Sequence, residues 1–558
     1  MEKACFTDVL AVLGATISEH FGDRDNTYDY ISNGLQINPS NYELYVLLGN
    51  YYLVENPDLC YLCYENAHYY CEQVGNTDDA QYIGFMITEL KKVYDIKIRP
   101  CSIIIKGYSA EDLSVCIDGI KKNCKHESYE VIATLPKDIT LPSTEEDNVT
   151  ILSYDRPQEE VFNYMVEHAC KDNDIFLYDE TALMMPNTLF ILRMELYAKD
   201  NIGSTGAMSN CATINQIIQE NFNSLEECID FAKKMNLPNP HPQEYKMWLE
   251  PYAILIKREA LDKVGLFDTE LKEHQFMEQD MGLRLLNSGY KNVLCHNCFL
   301  FRWTAKCIEK QDYQKVPDDI EAENIEHFKK KWSRHNSPLY YGSVRHELIN
   351  LMKEPRETPI HVLEVGCGTG ATLSHIQYLF PNASVNGIEI VDEIARLGAM
   401  NLDIISGDVE NMELPYVHNS FDYIIFEDVL EHLCYPEDVL IHMKDYLKPE
   451  GHIITSIPNL MNARVIYDLL HGNFTYKDAG ILDRTHLRFF TYKEIVKMFE
   501  RTGYQIDQML MNINGDHCTD NFKDFFDELL SIKGIAEKNE FDTFQYYVLA
   551  TKKELVKE

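Results

Sequence analysis

The chain has 558 residues, of which 89 are Asp or Glu and 51 are Lys or Arg, a net charge of -38. At roughly 100–200 residues per domain, this length makes about three domains, each able to bury its own core. The acidic balance repels nucleic-acid backbones and anionic membrane surfaces, and no apolar run reaches the ~18 residues of a membrane helix, so neither nucleic acid nor membrane insertion is expected.

The first residues, MEKACFTDVLAVLGATISEHFG, carry Asp8 inside their apolar part and no basic run ahead of it, which does not read as a secretory signal. Sixteen cysteines lie scattered without a disulfide-like framework, and a cytoplasmic chain with reduced thiols is the expectation. Two C-x-x-C pairs, Cys60 with Cys63 and Cys295 with Cys298, have the spacing of half a zinc site, but no second pair follows at finger spacing, which disfavours structural zinc.

Residues 1–99 are rich in Tyr, Leu and Asn, and the stretch from Asn38 to Gln73 places small and aromatic residues at helical intervals between two Asn-Pro breaks. It reads as a helical hairpin. The order Tyr45, Leu48, Gly49, Tyr52, Tyr64, Ala67 resembles a tetratricopeptide repeat, which implies a groove for a protein partner. A helical cap packed on its neighbour is the open alternative.

Residues 100–334 alternate strands with helices, in CSIIIKGY, YEVIATLP, DIFLYDETALMMP and YAILIKREALDKVGLFD, the pattern of an α/β sheet. The order is similar to the GT-A fold of family 2 glycosyltransferases. That resemblance implies a nucleotide-sugar donor, a divalent cation near Asp179 and Glu180, and Asp280 as the catalytic base. Three departures stand out: Thr134 and Leu135 fall where the family keeps a base-binding Asp, Asp179-Glu180 replaces an alternating acidic pair, and Arg302 falls where a His is expected. The alternatives are an active glycosyltransferase and a fold retained for binding or scaffolding.

Residues 335–558 form a second α/β segment. HVLEVGCGTG is a strand, a tight turn with Gly366, Gly368 and Gly370, and then a helix. No Lys-Ser or Lys-Thr follows, so it is not a phosphate-gripping loop. Glu364 inside the motif would repel a pyrophosphate and suits an ammonium group. Glu389 ends the next strand, where it can accept both hydroxyls of a ribose, with Ile390 beside it. Asp408 and Val409 follow the third strand, placed for an adenine amino group and ring, and Glu427 follows the fourth. Together these resemble a class I S-adenosylmethionine-dependent methyltransferase with a Rossmann-like fold; YYGSVRHELINLM is similar to the family's entry helix, which implies Tyr341 and Arg345 as further cofactor contacts, with a simple amphipathic packing helix as the equal alternative.

In EDVLEHL, a helix would put Asp428, Glu431 and His432 on one face. Farther on, DRTHLRFFT places His486 between two arginines. The set resembles the metal-binding acid-x-x-Glu-His helix of ubiquinone-pathway O-methyltransferases and, with a distal His, of small-RNA 2′-O-methyltransferases. It implies a Mg²⁺ or Mn²⁺ site of Asp428, Glu431, His432 and His486. A metal-free pair with His432 or His486 as base and Glu431 orienting it, and a purely structural role, stay open. Tyr467, Phe474 and Tyr476 can stack on a sugar ring or lie in a core. The fused segments point to a methylated sugar or glycan-linked acceptor, a surface polysaccharide or glycosylated protein of bacterial type.

Overall fold

The computed structural model describes residues 7–139, 147–212, 216–239, 243–303, 316–332, 342–513 and 515–553. The chain packs as two compact units that divide after Gly342.

Five helices open the first unit: α1 (Asp8–His20), α2 (Arg24–Ile37), α3 (Tyr42–Tyr52), α4 (Pro57–Gln73) and α5 (Thr77–Val93). Each begins on a side chain that accepts a first-turn amide, namely Thr7, Asp23, Asn41, Asn56 and Asn76, which satisfies donors a helix start leaves orphaned. Gly49 lets α4 approach α3: a Cβ there would lie 2.3 Å from the Tyr64 ring. The boundary expected at residue 99 falls inside this unit, because the helices and the following sheet share one hydrophobic core. Tyr45 packs edge-on against Phe190 at 5.8 Å, and buried Arg193 pairs with both Glu65 and Glu127.

The sheet of this unit has nine strands among the described residues: β1 (Cys101–Lys106), β2 (Tyr129–Pro136), β3 (Val149–Tyr154), β4 (Asp174–Asp179), β5 (Ala182–Leu183), β6 (Ile202–Ser209), β7 (Glu244–Lys246), β8 (Ala253–Ile256) and β9 (Lys291–Arg302). Their order is β3-β2-β1-β4-β8-β6-β9-β5, with β7 on β9. The first four run parallel and β8 is antiparallel. Cys60, Cys63, Cys295 and Cys298 are all buried in this core. Burial pushes the Cys60 thiol up to about 12, so these cysteines are packing residues rather than thiolates.

The second unit is a seven-stranded Rossmann-like sheet: β10 (His361–Val365), β11 (Ser384–Glu389), β12 (Asp403–Ser406), β13 (Phe421–Glu427), β14 (Leu447–Pro458), β15 (Tyr504–Ile513) and β16 (Thr543–Lys552). The order is β12-β11-β10-β13-β14-β16-β15, parallel through β14, with β16 antiparallel between β14 and β15. The chain steps one way from β10 to β11 and then back past it to β13, which opens a crevice at the strand ends where such sheets bind ligands. Among the described residues no helix is long and apolar enough to cross a membrane.

Candidate active site at the edge of the second sheet

β10 runs straight into the glycine cluster. Gly366, Gly368 and Gly370 have φ of 73°, 55° and 81°, a left-handed region that costs other residues about 1–2 kcal/mol. A Cβ on Gly366 would overlap Val429 at 2.4 Å, while nothing lies within 4 Å of one on Gly368, so the turn is tight below and open above. Glu389, ending β11, accepts from the Gly368 amide at 3.0 Å and the Val391 amide at 2.9 Å. Exposed Ile390 follows it. Asp408, two residues past β12, accepts from the Glu410 amide and the Asn411 side chain, beside buried Val409.

Glu364 is 1% exposed, and its Oε2 meets no donor among the described residues. Burial first, and then the charge of Glu427, push its carboxyl well above the usual range. Glu427 is also raised by burial, and Arg345 opposes that rise. Arg345 donates from Nε to Glu427 at 2.9 Å and pairs with Asp428. The expected entry helix is shorter than the sequence suggests: it runs only from His346 to Ile349, and Arg345 is its N-cap residue. Tyr341 lies outside the described residues.

Asp428 departs from the expectation. EDVLEHL does not form an α-helix; one 3₁₀ turn covers Leu430–His432, and Asp428 has φ of 52°, so the shared helical face does not exist. Its carboxylate is taken up by Arg345, by Gln545 and by the Ser456 hydroxyl at 2.8 Å, while its amide donates back to Ser456 Oγ at 2.9 Å. It therefore stands apart from the remaining three. No local spacing reveals Ser456 and Gln545; β14 and β16 bring them together.

Glu431, His432 and His486 do converge, with one carboxylate oxygen and one ring nitrogen from each histidine all within 4.8 Å of one another. Glu431 is 1% exposed and neither carboxylate oxygen has a hydrogen-bond donor among the described residues. Its backbone carbonyl accepts from the Leu487 and Arg488 amides, tying the turn to the later segment. His432 Nδ1 lies 3.2 Å from the Thr485 carbonyl, and His486 Nδ1 lies 2.9 Å from that of Ile481. A carbonyl only accepts, so each Nδ1 carries the hydrogen and each Nε2 keeps its lone pair, the arrangement that prepares imidazoles as metal ligands. Burial, and then His486, lower the pKa of His432 and favour its neutral form.

Residues 334–509 match a protein family described as "Methyltransferase domain". Residues 334–509 are a class I S-adenosylmethionine-dependent methyltransferase domain. Among curated relatives, a malonyl-[acyl-carrier protein] O-methyltransferase of Halalkalibacterium halodurans is 28% identical over 29% of this chain and 65% of its own length. A demethylmenaquinone methyltransferase of Listeria welshimeri is 25% identical over 31% of this chain and 82% of its own. A methyltransferase structure from Archaeoglobus fulgidus covers 40% of this chain and 98% of its own at 15% identity, with a TM-score of 0.28. The cofactor of the domain is thus S-adenosylmethionine. The open Gly368 side, the Glu364 oxygen without a partner among the described residues, and the strand-end carboxylates of Glu389 and Asp408 offer acceptors of the kind its ammonium, ribose hydroxyls and adenine amino group need.

In the first unit, Asp179 accepts from the Thr181 amide and hydroxyl and lies 4.0 Å from the Arg302 guanidinium. Glu180 is buried and accepts from the Tyr108 amide at 2.8 Å. Asp280, which the resemblance makes a base, is engaged in ion pairs. It is 0% exposed, and Arg284 at 2.7 Å, Lys331 at 2.7 Å and Trp332 Nε1 at 2.9 Å enclose its carboxylate. Paired with two cations and buried, it ties the helix Met277–Asn287 to the one at Asp318–Lys331.

Proposed function

We propose that the protein is an O-methyltransferase that methylates a hydroxyl of a sugar or glycan-linked acceptor, with Glu431, His432 and His486 as its acceptor-activating group. The observation that carries this reading is the buried carboxylate of Glu431, without a donor, facing two imidazoles whose Nδ1 atoms are already engaged. An unpaired carboxylate in that position is strongly disfavoured unless a proton or a cation joins it.

S-adenosylmethionine supplies a methyl group already activated on a sulfonium, so the chain's main task is alignment, worth up to ~7–11 kcal/mol. Glu364 and Glu427 receive the amino-acid ammonium, Arg345 its carboxylate, Glu389 the ribose, and Asp408 with Val409 and Ile390 the adenine. A magnesium or manganese ion held by Glu431, His432 and His486 would supply the Lewis acidity that lowers the pKa of an acceptor hydroxyl. The depressed pKa of His432 favours a second role without metal, in which its neutral Nε2 removes the hydroxyl proton.

The enclosure of Asp280 favours a first unit that presents the acceptor over one that transfers sugar from a nucleotide donor. In that reading the N-terminal helices contribute the contact with a protein partner, and the enzyme acts in the cytoplasm on bacterial glycans or glycosylated proteins. The test is methyl transfer from methyl-labelled S-adenosylmethionine to a panel of oligosaccharides, glycopeptides and quinols, with nucleotide sugars added in parallel. Label in a sugar hydroxyl, lost in Glu431→Gln, supports the reading. Label only in quinols, or unchanged rates in Glu431→Gln, overturns it.

A further inference from the structure

Beyond the imidazole pair a line of aromatic rings leads out to solvent. His486 lies 6.3 Å from Phe489, and Phe489 lies 5.9 Å from Phe474 and 6.4 Å from Tyr476. Phe489 packs on the buried Val465, Ile481 and Leu482. Phe474 and Tyr476 are 42% and 49% exposed, and they stand edge to face, 5.6 Å apart at 87°. Tyr467, grouped with them in the sequence, is elsewhere: it stacks on Phe522 in a separate apolar cluster.

The two outer rings are held in place. Gly472, at φ of 83°, ends the helix Ala463–Leu470, and the Asn473 amide donates back to the Asp468 carbonyl. Backbone hydrogen bonds from Lys477 to Leu482 and from Arg484 to Lys477 close the following loop, and Arg484 pairs with Asp478. Phe474 and Tyr476 thus expose apolar ring surface on a closed loop, one ring beyond Phe489 from His486 of the Glu431, His432 and His486 cluster.

Resting on the methyltransferase reading above, we infer that Phe474, Tyr476 and Phe489 form a carbohydrate subsite, which stacks a sugar ring while a hydroxyl of the same acceptor reaches Glu431, His432 and His486. Two perpendicular rings make a corner, and a corner suits a puckered ring that presents C–H groups on more than one side. A planar quinol could stack on only one of the two rings at a time. The flanking Lys477, Asp478, Asp483 and Arg484 offer donors and acceptors to the hydroxyls at the rim of such a ring.

The test uses the full chain saturated with S-adenosylhomocysteine, with maltotriose, chitotriose and mannotriose as probes, menadiol as a planar comparison, and saturation-transfer NMR as the readout. At least one trisaccharide should bind through its ring C–H protons, and Phe474→Ala with Tyr476→Ala should weaken it about tenfold or more. S-adenosylhomocysteine affinity and the thermal midpoint should hold in that variant, which shows it is folded. Glu431→Gln should keep sugar binding and lose methyl transfer; if it keeps both, the activating cluster is wrong while the subsite stands. Binding of menadiol alone, no trisaccharide binding, or unchanged affinity in the double variant overturns the subsite.

Discussion

The rings of His432 and His486 stand 4.7 Å apart at 77°, each tethered through Nδ1 to a backbone carbonyl in the segment from Ile481 to Thr485. That segment holds both imidazoles in one tautomer, with one ring nitrogen of each within 4.8 Å of a Glu431 carboxylate oxygen.

The lowered pKa of His432 sets a pH profile. A depressed value keeps the ring neutral, and competent as ligand or base, below the ordinary value of ~6.5. The acid limb of kcat/KM should therefore fall only below about pH 6.5. His486→Ala should reduce methyl transfer by about 10²–10⁴-fold while S-adenosylhomocysteine binding, followed by calorimetry, stays within a factor of two or so.

Burial, reinforced by Asp428, raises the Glu431 carboxyl well above its usual range. The unfolded chain ionises this group near ~4.3 and the metal-free folded chain resists doing so, so the carboxyl costs stability as pH rises above that value. Glu431→Gln should accordingly unfold at higher temperature than the metal-free wild type at pH 7, by about 1–3 kcal/mol. The difference should shrink as pH falls through the unfolded value of ~4.3 and vanish near about pH 3, where both states of the wild type are protonated.

Gly366→Ala introduces a side chain at φ of 73° and against Val429. A loss of about 1–2 kcal/mol is expected from the backbone alone, together with weaker S-adenosylhomocysteine binding. Glu389→Ala should weaken the same ligand by about tenfold or more, since charged hydrogen bonds carry ~1.5–3 kcal/mol each.

Removing the Asp280 carboxylate strands Arg284 and Lys331. Asp280→Ala should destabilise the first unit by about 3 kcal/mol in denaturant unfolding, in line with breaking a buried ion pair. A base without structural work would show no such loss.

The glycine cluster and Glu389 were legible because their geometry is local: alternating glycines after an apolar strand, then an acid at the end of the next strand. The same holds for helices α1 to α5, whose Asn, Asp and Thr caps stand at the breaks. Helical spacing fails at Asp428, which takes a left-handed conformation and bonds to Ser456 and Gln545, residues that β14 and β16 bring near from far along the chain. The base role of Asp280 follows from the glycosyltransferase resemblance alone, and the pairing with Lys331 and Trp332, some fifty residues away, is invisible to a local motif. Likewise Phe474 and Tyr467 look alike in sequence, and only packing separates a solvent-facing ring from a core one.

The most direct test of the Glu431 cluster is calorimetric titration of chelator-stripped, full-length protein with Mn²⁺ in the presence of S-adenosylhomocysteine, repeated with Glu431→Gln. The account predicts one bound ion per chain in the wild type and loss of that binding in the variant. No binding to the wild type, or equal binding by the variant, would contradict a cation held by Glu431, His432 and His486.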